Sequence, residues 1–90
     1  MRKIRFFSLL QYIEAALAHA EYERDEDGIV IAQVPDAAGF FAQGDTFEES
    51  RANLRDVVEG NVLLALQLGF DIPTIEGVVI EEQDAQAVAA

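Results

Sequence analysis

The side chains most able to do chemistry in this 90-residue chain are carboxylates, which number 17. Asp36, Asp45, Glu48 and Glu49 lie close enough in sequence to suggest the acidic cluster of a metal-dependent nuclease. Such chemistry needs acids that converge on two metal ions about 4 Å apart. Asp45, Glu48 and Glu49 are better explained as helix-start residues, because acids there suit the helix dipole. We therefore rank a metal-dependent hydrolase last and expect a protein that is not an enzyme, with no catalytic residue, metal or other cofactor.

The other reactive groups are few. His19 is the only histidine and cysteine is absent, whereas a zinc site needs several nitrogen or sulfur ligands. Asp25–Asp27 lack the roughly 12-residue spacing of a calcium-binding loop. Alternation in the sequence places His19 on a strand face beside Glu21, where we interpret it as a surface side chain. A pH-sensitive contact is the alternative.

The net charge of −11 at pH 7 is the strongest bulk property of the chain. It repels the phosphate backbones of DNA and RNA, so we expect no direct binding to nucleic acid. The same charge favours encounter with a basic protein. The alternative is that the acids serve only to keep the chain in solution.

Helix and strand signals follow one another in the first half of the chain. Ser8 and Gln11 fit a helix capping box, and apolar residues follow at helical spacing, which predicts a helix over about 8–18. Alternation over 18–23 predicts a half-buried strand. Asp25–Gly28 is typical of a turn.

Two further strands are predicted before the second helix. Residues 29–34 are β-branched or apolar on both faces and predict a central strand, which Pro35 ends by removing a backbone donor. Residues 36–39 predict a loop, and residues 40–43 predict a short third strand.

A long helix is predicted over 47–68. Thr46 and Glu49 form a second capping box, and Gly69 is a natural helix end. Gly60 inside this helix predicts a close backbone approach or a bend, and Asn61 predicts either a weakened core or a polar partner. The predicted apolar stripe contains Phe47, Leu54, Val57, Val58, Val62, Ala65 and Leu66.

These elements predict an α+β fold of order α-β-β-β-α-β, an antiparallel sheet with one long helix packed on it. The last strand is expected over 77–81, and residues 83–90 are expected to fray. We expect a single domain over 1–82.

The central strand is apolar on both faces, and one long helix covers only one of them. Three covers for the second face remain open: the N-terminal helix, a second copy of the chain, or a foreign partner. Self-association predicts a homo-oligomer, a dimer or a tetramer.

A candidate protein-binding site combines acids with apolar sheet positions. An apolar centre with an acidic rim suits a basic protein, and the alternative is a solvated hairpin tip beside an oligomer face. The predicted partner-binding residues are Glu21, Glu23, Asp25, Glu26, Asp27, Ile29, Ile31 and Phe41.

The segment 34–49, VPDAAGFFAQGDTFEE, resembles the signature of the HicB antitoxin family. That signature is a strand ending in an apolar residue and proline, a loop to a glycine, a short strand, Gly-Asp-Thr, and a helix opening with acids. The resemblance extends over about residues 10–82, and residues 12–17 are similar to an N-terminal extension of one branch. It implies a partial ribonuclease-H-like sheet without catalytic carboxylates.

The resemblance also implies a function. HicB-like domains neutralise HicA, a small basic toxin that cuts RNA with a histidine, by masking its active surface. Many members add a DNA-binding domain, but only a short alanine-rich tail follows Glu82 here, which argues against operator binding. Gly60 and Asn61 also depart from the larger residues expected in that branch. The alternative is an orphan oligomeric relic of the family with no toxin partner.

The sequence also bears on location. No apolar stretch reaches the roughly 18 residues that span a bilayer. The basic start at Met1–Arg5 resembles the first part of a signal peptide, but Gln11 and Glu14 interrupt the apolar segment that should follow. With no cysteine to pair, we expect a cytoplasmic protein with no membrane partner.

Overall fold

The computed structural model describes residues 3–84, with the side chains of residues 4–83. The order of elements is β1 (Lys3–Phe6), α1 (Leu9–Ala18), β2 (Glu21–Arg24), β3 (Val30–Gln33), β4 (Phe41–Gly44), α2 (Phe47–Leu68) and β5 (Glu81–Asp84). β2, β3 and β4 form an antiparallel sheet with β3 in the middle, and β1 and β5 form a separate antiparallel pair. The predicted α+β fold, an antiparallel sheet under one long helix, is confirmed.

Both helices begin where the sequence predicts. The Ser8 side chain accepts a hydrogen bond from the Gln11 N–H at 3.1 Å and caps α1. Thr46 caps α2 in the same way, accepting from the Glu49 N–H at 3.0 Å. Gly69 ends α2 with a left-handed backbone, φ 74°, which glycine adopts without steric cost.

The first predicted strand starts too early. α1 continues to Ala18, and the backbone N–H of His19 closes the helix by bonding to Ala15 and Ala16. His19 is therefore a helix cap and not a strand residue, and β2 begins at Glu21. The sequence alone did not separate the two elements, because the last turn of α1 and the start of β2 both place apolar residues between positions 16 and 22. Together these residues imitate the alternation of a strand.

The two ends of the chain differ most from the prediction. β1 was not predicted, and the last strand lies at Glu81–Asp84 and not at 77–81. Gly77, with φ 92°, forms a turn closed by the Val78 N–H on the Ile75 carbonyl, so the strand starts later. Residues 83 and 84 pair with β1 and do not fray, and the rest of the predicted tail lies outside the described residues.

Both helices lie on the same side of the three-stranded sheet. Ala32 of β3 and Val58 of α2 belong to one buried cluster with Tyr12 and Ala16 of α1, and α1 packs against α2. The N-terminal helix therefore does not cover the second sheet face, which removes one of the three predicted covers. The core also includes Ile13, Leu17, Val34, Ala37, Phe40, Leu54, Val62 and Ile75.

Close packing of α2 on β4 depends on two small residues. A Cβ at Gly44 would lie 2.7 Å from the Ser50 nitrogen, so only glycine fits there. Ser50 is fully buried, a position that the predicted apolar stripe omitted. Phe47 and Leu66, which the stripe included, are 50 % and 39 % exposed.

Gly60 and Asn61 behave differently from each other. A Cβ at Gly60 would meet nothing within 4 Å, so no backbone of the same chain approaches it, and the helix runs through it unbroken. The Asn61 amide donates to the Gly39 carbonyl at 3.3 Å, so it has the polar partner that the sequence left open. Among residues 3–84, no helix is long and apolar enough to cross a bilayer.

Candidate protein-binding face

Strand register places the candidate site on the open side of the sheet. Residues opposite each other in antiparallel strands point to the same side, and neighbours along a strand alternate. Tyr22, Ala32 and Ala42 form one row, and their side chains face the helices. The rows on either side of it therefore face away from the helices.

Two rows make up this open face. In the first, Gln33 lies between Glu21 and Phe41, and in the second, Ile31 lies between Glu23 and Gln43. We call these six residues the acidic face. The sequence predicted four of them, and the structure brings those four together: Glu21, Glu23, Ile31 and Phe41.

Gln33 and Gln43 were not predicted. Each lies two positions along a strand from an apolar candidate, Gln33 from Ile31 and Gln43 from Phe41, so the period of two could have found them. Their amides supply both donors and acceptors to a partner, which the carboxylates do not.

Exposure on the acidic face is uneven. Phe41 is 64 % exposed, Ile31 is half-buried, and Glu21 and Glu23 are exposed at the β2 edge. The premise that the second face is apolar is therefore wrong, since four of its six positions are polar. The face therefore carries two apolar side chains, Ile31 and Phe41, with acidic residues along its β2 edge. The homo-oligomer itself stays a prediction.

The other four predicted partner-binding residues lie at the hairpin tip between β2 and β3, where two hold the turn and two are exposed. The Asp25 carboxylate accepts from the backbone N–H groups of Asp27 and Ile29, both at 2.9 Å, so it holds the turn. Ile29 is half-buried and closes the same turn. Glu26 and Asp27 are exposed, and they extend the acidic charge beyond the end of the sheet.

On the helix side of β2, the Arg24 side chain contacts other residues of the same chain. Its guanidinium donates to the Gly28 carbonyl at 2.8 Å and lies 5.3 Å from the centre of the Phe47 ring. Phe47 in turn packs edge-on against Tyr22, with ring centres 5.9 Å apart. The one arginine of the hairpin therefore lies on the helix side, and the six residues of the acidic face include no basic side chain.

A cleft borders the acidic face. The loop from Val34 to Phe40 encloses about 410 Å³, with Gln33 and Phe41 at its edge. Asp36 lies in this loop with a left-handed backbone, φ 66°. The cleft is large enough to take a side chain from a partner that contacts Phe41.

The acidic residues considered for catalysis lie in two different parts of the structure. The Glu49 carboxylate accepts from the Asp45 N–H at 3.1 Å at the start of α2, while Asp36 lies in the loop before β4. Within the described part of the chain, no three His, Asp or Glu side chains gather in a way that could hold a metal ion. His19 is exposed, and its Nε2 lies 3.3 Å from the Glu76 carbonyl oxygen.

Similarity to known proteins covers the acidic face and α2. The family model described as UPF0150-like matches residues 11–73. The UPF0150 protein ssr1258 of Synechocystis sp. is 49% identical over 37 residues, 41% of this chain and 54% of that protein, so the match spans about half of the relative. The crystal structure of TTHA0281 from Thermus thermophilus is similar with a TM-score of 0.71 and 33% identity, over 79% of this chain and 90% of that one.

Proposed function

The chain belongs to the UPF0150-like family, and from this premise we propose that it is an antitoxin-like domain that binds a small basic RNA-cleaving toxin and masks its active surface. UPF0150 is a HicB-like family, and the segment that resembles HicB antitoxins lies within the family match. The toxin would be of the HicA type. The chain itself performs no chemistry in this proposal.

The observation that carries the proposal is the exposed Phe41 on a mainly polar, acidic sheet face. A large aromatic side chain that is 64 % exposed is a typical anchor of a protein interface. Glu21 and Glu23 lie across the sheet from it and supply the charge. A partner that fits this face offers an apolar pocket surrounded by lysine or arginine.

A toxin that cuts RNA carries basic groups of this kind, because it must attract phosphates. The acidic face would compete with RNA for the same basic groups. The net charge of −11 raises the rate of encounter with such a partner, and Glu26 and Asp27 extend the attractive field at the hairpin tip. Inhibition is then steric and electrostatic.

The test is an RNA-cleavage assay with a small basic toxin encoded beside this chain. Wild-type chain should abolish cleavage at about one copy per toxin molecule. The double variant Glu21→Lys, Glu23→Lys should fail to inhibit at that ratio, because like charges across an interface cost several kcal/mol. The matched control is Glu14→Lys, Glu59→Lys, which makes the same charge change on exposed helix positions and should still inhibit.

Two results would oppose the proposal. Equal loss of inhibition in both double variants would show that only net charge matters and not this face. Cleavage that wild-type chain does not reduce, with no complex formed, would favour the orphan relic.

A further inference from the structure

The exposed side of α2 changes character along the helix. Over the first four turns its exposed residues include Arg51, Arg55 and Glu59. Over the last two turns the exposed residues are mostly apolar, whereas a solvated helix keeps polar residues on its outer face. We call these apolar residues the leucine surface: Leu63, Leu64, Leu66, Leu68 and Phe70.

These side chains lie close together on the exposed surface of the helix, with the exposed Gln67 between Leu63 and Leu64. Leu63 and Leu66 are three residues apart, and Leu64 and Leu68 are four apart, which are the spacings of neighbours on a helix surface. Each is between 39 % and 56 % exposed, and Phe70 just after the helix is 59 % exposed. A patch of this kind on a small protein marks a contact site.

A groove adjoins the leucine surface. It holds about 190 Å³ between α2 and the loop before β4, and its walls include the apolar Leu64, Phe70 and Pro73 together with the acidic Asp71. The Asn61 amide at this groove donates to the Gly39 carbonyl and so is engaged within the chain. The groove therefore offers mainly apolar wall to an entering leucine or phenylalanine side chain.

Charge selects the occupant. Residues 60–70 contain no ionisable side chain, although the chain carries a net charge of −11. Two identical acidic chains repel each other over most of their surfaces, and this segment brings few like charges against a second copy, although Asp71 lines the groove and the Arg5 guanidinium donates to the Phe70 carbonyl at 2.7 Å. A basic partner would gain less attraction here than at the acids on the opposite side of the sheet.

Gly60 supports a helix as the approaching element. It lies one turn before Leu63 and Leu64, and a Cβ there would meet nothing within 4 Å. A glycine in mid-helix weakens the helix without serving any contact inside this chain. It leaves room for the backbone of a neighbouring helix, which packs at about 8–10 Å between axes.

We propose that two copies of this chain associate through their leucine surfaces, helix α2 against helix α2 about a two-fold axis, leaving the acidic faces open. A two-fold interface uses the same patch on both copies, so a self-complementary apolar helix face meets its requirement. Interfaces between identical subunits are also more apolar than transient ones.

Sedimentation of the wild-type chain without any toxin tests this association. A dimer should form across about 1 to 100 µM, and its dissociation constant should fall as salt rises, because salt screens the repulsion between two acidic copies. Leu63→Glu should weaken the dimer about 100-fold or more, because it buries an unpaired charge, while circular dichroism shows the helix intact. Leu68→Glu, at the last residue of α2, provides a second variant if Leu63→Glu does not fold.

The matched control is Phe41→Glu, which places an acid at an exposed apolar position on the acidic face, 64 % exposed against 43 % for Leu63, and should leave the dimer unchanged. A wild-type monomer at about 100 µM in high salt would overturn the proposal. So would a dimer that Phe41→Glu dissociates and Leu63→Glu and Leu68→Glu do not. Toxin inhibition has its own assay, so failure of either proposal is recognised separately.

Discussion

Glu23 and Ile31 lie opposite each other across β2 and β3, with both side chains on the sheet face that neither helix covers. This pairing sets a carboxylate beside an apolar side chain at the edge of the sheet. The next row repeats the pattern at greater distance, with Glu21 and Phe41 on either side of Gln33. Because side chains alternate along each strand, acidic and apolar side chains lie together on this one face of the sheet.

Phe41→Ala should separate binding from folding. Because Phe41 is 64 % exposed, we expect the free energy of unfolding to change by less than about 0.5 kcal/mol. Loss of an interface anchor should weaken toxin binding at least about tenfold, corresponding to more than about 1 kcal/mol. Calorimetric titration and urea unfolding measure the two quantities. Unchanged affinity would show that the aromatic ring is not part of the interface.

Gly44→Ala and Gly60→Ala should have opposite effects on stability. The new Cβ at position 44 would lie 2.7 Å from the Ser50 nitrogen, so we expect a loss of about 1–3 kcal/mol from overpacking. At position 60 the space is open, and alanine should stabilise the helix by up to about 1 kcal/mol. Urea unfolding of a non-associating background such as Leu63→Glu gives both values. Equal effects of the two substitutions would contradict the close approach of α2 to β4.

Tyr12 should make stability fall at alkaline pH. Burial raises the pKa of its hydroxyl from 10.0 to about 12, and the hydroxyl donates to the Pro73 carbonyl at 2.5 Å. The unfolded chain loses this proton above about pH 10 while the folded chain keeps it. Stability is therefore intact below about pH 10 and falls by at most about 1.4 kcal/mol per pH unit up to about pH 12.

The control for this pH dependence is Tyr12→Phe. The ring contacts with Phe7 and Phe40 remain possible, with centres 6.0 and 6.3 Å away, but the titrating group is gone. We expect a loss of about 1 kcal/mol at pH 7 from the missing hydrogen bond. The difference in stability between wild type and variant should shrink between about pH 10 and 12. A constant difference would show that Tyr12 titrates normally.

Thr46→Ala should destabilise the start of α2. The Thr46 hydroxyl accepts from the Glu49 N–H, and loss of such a cap costs about 1 kcal/mol. Thr46→Ser keeps the hydroxyl and should lose little. Chemical denaturation of both variants provides the comparison, and equal stability of the alanine and serine variants would exclude a capping role.

Elements with strong local signals could be predicted from the sequence. The bounds of α2, Phe47–Leu68, follow from the cap at Thr46 and the glycine at position 69. β3 and β4 lie within one residue of their predicted positions. Hydrogen bonds at these ends join residues close in sequence, so the local pattern contains the information.

Contacts between distant parts of the chain could not be predicted. β1 pairs with β5, Arg5 opposite Glu82, across almost the whole sequence, and two four-residue strands carry too short an alternation to reveal it. Burial of Ser50 depends on the missing side chain at Gly44. The acidic face was predicted more completely, because the period of two within each strand already grouped Glu21 with Glu23.

Cross-saturation from toxin to this chain, measured by NMR in the complex, tests the central claim most directly. Saturation of the toxin protons should reach the Ile31 methyl groups and the Phe41 ring, while the methyl groups of Leu63 and Leu68 on the opposite side serve as the internal reference and should stay unaffected. Transfer to Leu63 and Leu68 with none to Ile31 and Phe41 would contradict the assignment of the acidic face as the toxin-binding surface.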